Sequence, residues 1–148
     1  MSISYEKDVV AWASEQAALL RAGRFSELDI DHIADEVEDV GRSEKRELLS
    51  RMAVLMAHLL KWQVQPELRP TKGKSWSDTI KVQREDLADH LAETPSLRPS
   101  LENPDWQRRA WRNAITLASS ETGLGLDDLP ESCPWTSEQL LDRDFVPD

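Results

Sequence analysis

Residues 29–64 read DIDHIADEVEDVGRSEKRELLSRMAVLMAHLLKWQV, and their spacing decides the fold class. Ile30, Ile33, Val37, Val40, Leu48, Met52, Leu55, Leu59 and Trp62 recur three, four or eight apart, the stripe of an amphipathic helix. Asp29 is placed to cap its start, with Asp31 in the first turn. Read as one helix from Asp31 to Val64, the stretch would span about 50 Å at 1.5 Å per residue, more than a small domain needs. An end of such a helix is free for dimerisation. Gly41 costs about 1 kcal/mol against Ala in a helix interior, so the sequence also permits a bend or break at Gly41-Arg42-Ser43.

The flanking segments read the same way. Val9, Trp12, Ala13, Gln16, Leu19 and Leu20 stripe a helix within Tyr5 to Ala22, and Gly23 stops it. Pro66 and Pro70 end the long run, TKGKS reads as a loop, and Ser75 with Asp78 opens a helix through Trp76, Ile80, Gln83, Leu87 and Leu91. TPSLRPSLENP is a proline-punctuated connector. Asn103-Pro104-Asp105 supplies cap, first-position proline and acid for a helix that Gly123 ends. Thr136 with Gln139 caps a short helix over Ser137 to Asp142 in an otherwise irregular tail. The expected fold is all-α: an antiparallel bundle of about four main helices, one domain over residues 1–148.

Composition narrows the function. The 148 residues carry a net charge of −10, with 39% hydrophobic and 31% charged side chains. General nucleic-acid affinity is disfavoured, because phosphate binding needs positive charge. The start MSISYEKDVV has no apolar core of a signal peptide, and no stretch reaches the length of a membrane span. One cysteine, Cys133, makes no internal disulfide, so a reducing cytoplasm is expected. No glycine-rich phosphate cradle occurs, and Cys133 sits among carboxylates that suppress its thiolate.

Charge is uneven: residues 1–50 carry net −6, residues 51–112 net +3 and residues 113–148 net −7. Two chemical readings compete for this layout. His32, His58 and His90, with nearby carboxylates, are the candidate ligands of a metal-dependent bundle enzyme, although no Glu-x-x-His occurs. The basic hairpin from Lys61 to Arg84, with Trp62 and Trp76 beside its cations, is the candidate for weak single-strand nucleic-acid binding. Mutual packing of the two tryptophans across the turn is the plainer account of the same pattern.

The ordered strings YEKDVVAWASEQAALLRAGRFSELD, EVEDVGRSEKRELLSRM, HLLKWQVQP, SWSDTIKVQRE, TPSLRP and ETGLGLDDLPESCPWTSEQLLDRDFVP resemble the bacterial domain-of-unknown-function family twenty-nine, from about Tyr5 to Pro147. The resemblance implies a small all-α bacterial protein and transfers no activity, substrate or cofactor. It directs attention to Glu36, Glu44, His58, Lys61, Trp62, Trp76, Ile80 and Arg84. His58, Lys61 and Trp62 share one helical sector, and Trp76, Ile80 and Arg84 form a stripe on the next helix. A polar groove around Lys61 and Arg84, near Glu36 or Glu44, is the candidate site for a partner or a small anionic ligand. The leading expectation is a non-enzymatic cytosolic interaction module with an unidentified protein partner, no cofactor and no membrane contact. Homodimerisation through the long helix is a further expectation.

Overall fold

Helix α2 (Ile30–Val64) runs for 35 residues through Gly41, so the break that glycine permits is absent. A Cβ at Gly41 would meet nothing within 4 Å. The computed structural model describes residues 3–148; Met1 and Ser2, which open the stretch read as free of a leader, lie outside the described residues. The other helices are α1 (Val9–Arg21), α3 (Arg69–Glu93), α4 (Pro104–Thr122) and α5 (Ser137–Leu141), with short 3-10 segments between them and no strand among the described residues. The fold is an all-α bundle with a long second helix and a short C-terminal one. Among the described residues no helix is long and apolar enough to cross a membrane.

Local chemistry explains most boundaries. Asp8 caps α1 by accepting from the Ala11 N–H at 3.0 Å. Asn103 caps α4 through the Trp106 N–H, Pro104 takes the first turn, and Gly123 ends the helix at φ 79°, a left-handed conformation that favours glycine. Thr136 and Gln139 form a reciprocal capping box on α5.

Helix α3 departs from the sequence reading. It starts at Arg69, not Ser75, and TKGKS is helical rather than a loop. Pro70 sits in the first turn, where a missing N–H costs nothing, so it starts a helix instead of closing one. The proline-rich connector is more ordered than its composition suggests, forming a 3-10 segment over Pro95–Glu102.

The chain divides into two compact units, the first ending at Ser43 and the second running Glu44–Asp148. The second holds the hydrophobic core: Leu48, Leu55, Leu59 and Leu60 from α2 are fully buried, and Leu87, Leu91, Ala110, Trp111 and Leu140 join them. Contacts across its helical hairpin fix an antiparallel pairing. Trp62 lies against Gly73, Arg51 reaches Asp86 at 2.9 Å, and Glu44 reaches His90 at 2.6 Å, so positions climb in α3 as they descend in α2.

The first unit is built differently. Among its described residues only Trp12 and Gln16 are buried. Of the stripe read on α1, Val9 and Leu20 are exposed. The N-terminal half of the long stripe is also open, since Ile30, Val37 and Val40 are each 66% exposed. Periodicity marks a face, and in this unit that face is not core.

Candidate functional site

The residues singled out in the hairpin do not form one groove; each is engaged separately. Lys61 is 6% exposed, and its ammonium is paired with Glu121 at the end of α4. Burial pushes the Lys61 pKa down, with the Lys72 charge adding to the effect. Arg84 is likewise buried, and its guanidinium donates to the Leu140 carbonyl at 2.8 Å and to the Gln139 carbonyl at 3.4 Å. Those carbonyls belong to the end of α5, where the Gln139 carbonyl also accepts from the Asp142 N–H at 3.3 Å. Arg84 therefore fastens the C-terminal helix to α3, a role that suits its forked donors.

The tryptophans of the hairpin are equally occupied. Trp76 is buried, and among the described residues it forms no aromatic pair with Trp62. The Arg69 guanidinium lies 4.8 Å from the Trp62 ring centroid and donates to the Trp62 carbonyl at 2.7 Å. A Cβ at Gly73 would sit 3.3 Å from the same ring, so glycine is what lets α3 approach it. A stacking platform for bases needs an open ring face; buried Trp76 offers none, and the half-buried Trp62 ring already carries the Arg69 guanidinium.

The three histidines are dispersed among different partners. His58 donates its Nδ1–H to the Val54 carbonyl at 2.8 Å, which leaves Nε2 as the acceptor, and burial holds its pKa below 6.5. His90 is 7% exposed and pairs through Nε2 with Glu44 at 2.6 Å, with Glu47 3.7 Å away. Arg51 holds Glu47 at 2.8 Å and Asp86 at 2.9 Å. Glu44, Glu47 and His90 are the group of potential ligands, among the described residues, whose atoms lie close together. They suit a metal poorly. A metal on Nε2 would move the proton to Nδ1, and that atom is buried without a partner. With the proton on Nε2 and donated to Glu44, Nδ1 keeps only a lone pair, the cheaper of the two arrangements.

His32 and Glu36 belong to a cluster inside the first unit. The Asp29 carboxylate accepts from Trp12 Nε1 at 2.9 Å and from His32 Nδ1 at 2.7 Å, and the Asp29 N–H donates to Gln16 at 2.8 Å. Tyr5 stacks on His32 with centroids 4.1 Å apart, and its hydroxyl donates to Glu36 at 2.5 Å. That bond to a carboxylate, aided by burial, pushes the Tyr5 pKa up to about 12. The hydrogen bond with Asp29 raises His32 above 6.5 and lowers Asp29. The cluster ties the N-terminal segment, α1 and the start of α2 into one unit.

Sequence reasoning missed the partners rather than the residues. Glu121 and the α5 carbonyls lie 60 and 56 residues from the side chains they bind, and no local spacing reports such pairs. Glu47 with Arg51, four apart on one helix, was legible. Also missed was a cleft of about 750 Å³ between α4 and the tail, lined by Trp106, Trp111, Cys133 and Trp135 among others. Trp135, two residues beyond Cys133, was its one local sequence signal.

No curated protein and no solved structure matches the chain. The family described as Domain of unknown function DUF29 matches residues 4–146, almost the whole chain, and carries no assigned activity. With the all-α fold and this match in hand, the chain belongs to the DUF29 family.

Proposed function

We propose that this protein is an interaction module whose first unit docks a basic, amphipathic helix of a partner protein. The observation that carries the reading is the open apolar stripe Ile30, Val37 and Val40 on α2. At about 100° per residue these three fall on one face, together with Ile33, Ala34 and Gly41. Large aliphatic side chains exposed at that spacing favour burial against another helix, as in helix-in-groove recognition. Val10 and Phe25 in the same unit are exposed as well.

Charge selects the partner. Residues 3–43 carry ten acidic and four basic side chains, and Asp31 and Glu38 flank the stripe. A second copy would bring a like charge against this face. A helix with lysines or arginines beside its apolar positions would meet opposite charge, which speeds encounter and fixes register.

A synthetic helix of about 18 residues, with leucines at helical spacing and lysines on both flanks, tests the reading by calorimetry against a glutamate-flanked version. The lysine peptide is expected to bind with salt-sensitive affinity, and the double variant Val37→Ser, Val40→Ser to weaken it about tenfold or more. Both substitutions are at exposed positions, so the fold tolerates them. Equal binding of the two peptides, or none, would overturn the proposal. So would concentration-dependent sedimentation that the double variant abolishes, since the face then belongs to a second copy.

A further inference from the structure

Residues 3–8, which precede α1, meet the rest of the first unit at His32, and that ring sits between two carboxylates. Its Nδ1 lies 2.7 Å from Asp29 and its Nε2 lies 3.3 Å from Glu6. Tyr5 covers one face of the ring, with planes 14° apart and centroids 4.1 Å apart, and meets Trp12 edge to face at 4.8 Å. Tyr5 is thus part of what holds Trp12 at 3% exposure.

A neutral imidazole has one N–H and cannot donate to both carboxylates; only the imidazolium can. Asp29 makes the shorter contact, and its carboxylate is fixed by Trp12 Nε1 at 2.9 Å. When the ring gives a proton to water, Nδ1 therefore keeps its hydrogen and the Nε2 lone pair is left facing Glu6, so an attraction turns into a repulsion. The stack weakens in the same step, because a cation is drawn to the Tyr5 face more strongly than a neutral ring is. The groups facing His32 are Glu6 and Tyr5 from the segment, Asp29 just before α2, Asp35 on α2 and the uncharged Trp12 on α1, while Glu36 acts on Tyr5. Apart from His32, no cation pairs with Asp29 or Glu6 among the described residues. We propose that residues 3–8 are a strap closed by a proton: they lie against α2 while His32 carries hydrogen on both ring nitrogens and loosen when Nε2 is bared. The Asp29 hydrogen bond, with the Glu6 and Asp35 charges adding to it, raises His32 above 6.5, which puts the loosening above that pH. The Tyr5 hydroxyl, pushed up to about 12, keeps its proton and its bond to Glu36 throughout, and the Ile3 N–H keeps Glu15 at 3.3 Å, so the strap loosens without leaving.

The Glu6 side chain is 71% exposed, so Glu6→Gln leaves the fold intact while removing the switch. Glutamine offers its carbonyl to an Nε2–H and its amide hydrogens to a bare Nε2, and this strap should stay closed in either state. NMR follows three signals: the cross-peak between the Tyr5 and His32 rings, exchange of the Asp8 amide, which donates to the Ser4 carbonyl at 3.1 Å, and exchange of the Gln16 amide in the middle of α1. With rates corrected for their intrinsic pH dependence, the Asp8 amide is expected to speed up about threefold as pH rises through the His32 midpoint, a size that suits one exposed contact. The ring cross-peak should weaken over the same interval while Gln16 holds, and in Glu6→Gln all three should stay flat. Unchanged Asp8 and ring signals through the midpoint, equal acceleration of Gln16, which would mean that the whole unit opens, or the original response persisting in Glu6→Gln would each overturn the proposal. No peptide enters the experiment, so its failure would leave the docking reading as it stands.

Discussion

Two histidines of similar ordinary pKa are driven in opposite directions, and the pH dependence of folding carries both signs. The Asp29 hydrogen bond raises His32 above 6.5 in the folded chain, so the stability it contributes is fully present below 6.5 and is lost as pH rises through the raised value. His58 is lowered by burial, and the Lys61 charge adds to this against a smaller opposing effect of the Val54 carbonyl. Between its lowered pKa and 6.5 the unfolded chain holds a proton that the native chain does not, so His58 costs stability as pH falls through that interval. Ring C–H resonances followed by NMR should therefore give a midpoint above 6.5 for His32 and below it for His58. Asp29→Asn should lower the His32 midpoint, because burial is then opposed only by the weaker effects of the Glu6 carboxylate, 3.3 Å from Nε2, and of Asp35. A common midpoint for the two rings would contradict both environments.

At the scale of the helix, two glycines in helix interiors have opposite reasons to be there. Gly41 in α2 has open space around the position of a Cβ, and Gly41→Ala should raise stability by about 0.5–1 kcal/mol through the lost freedom of the unfolded chain. Gly73 in α3 has Trp62 at 3.3 Å and the Arg69 Cβ at 3.5 Å, so Gly73→Val should destabilise by about 1–3 kcal/mol through overpacking. Denaturation followed by helical circular dichroism checks both, and a fall for Gly41→Ala would mean α2 is not continuous there. The same pair shows where sequence reading works. Caps and stops act locally, so Asn103-Pro104-Asp105, Gly123 and the Thr136–Gln139 box could be placed by reading alone. The 69–74 segment could not, because whether Pro70 and Gly73 break or begin a helix depends on the Trp62 ring brought there by the turn. Site residues fared likewise: Lys61 and Arg84 were conspicuous as cations, but buried cations need partners, and theirs come from α4 and α5 through the fold.

Across the whole molecule, the two units differ in how much apolar surface they withdraw from water, and this sets the order in which they open. The second unit buries six large α2 side chains, Leu48, Met52, Leu55, Met56, Leu59 and Leu60, to 2% exposure or less. Each fully buried side chain of this kind contributes about 1.5–3 kcal/mol. The first unit buries Trp12 and relies on the polar cluster around Asp29, where exposed ion pairs add little. Native-state hydrogen exchange should find the amides of α1 and of α2 before Ser43 opening at a free energy about 2 kcal/mol or more below those of α2 from Leu48 to Leu60. One helix would then span two stabilities, its first part released while its second stays closed. Uniform protection along α2 would instead make the chain a single cooperative unit. A unit held lightly, with its apolar stripe open and its charge of one sign, is the kind that gains most from a partner, since binding supplies the burial that its own residues leave undone. The lysine-flanked peptide should accordingly slow exchange in α1 and the first part of α2, and leave Leu48 to Leu60 as they were.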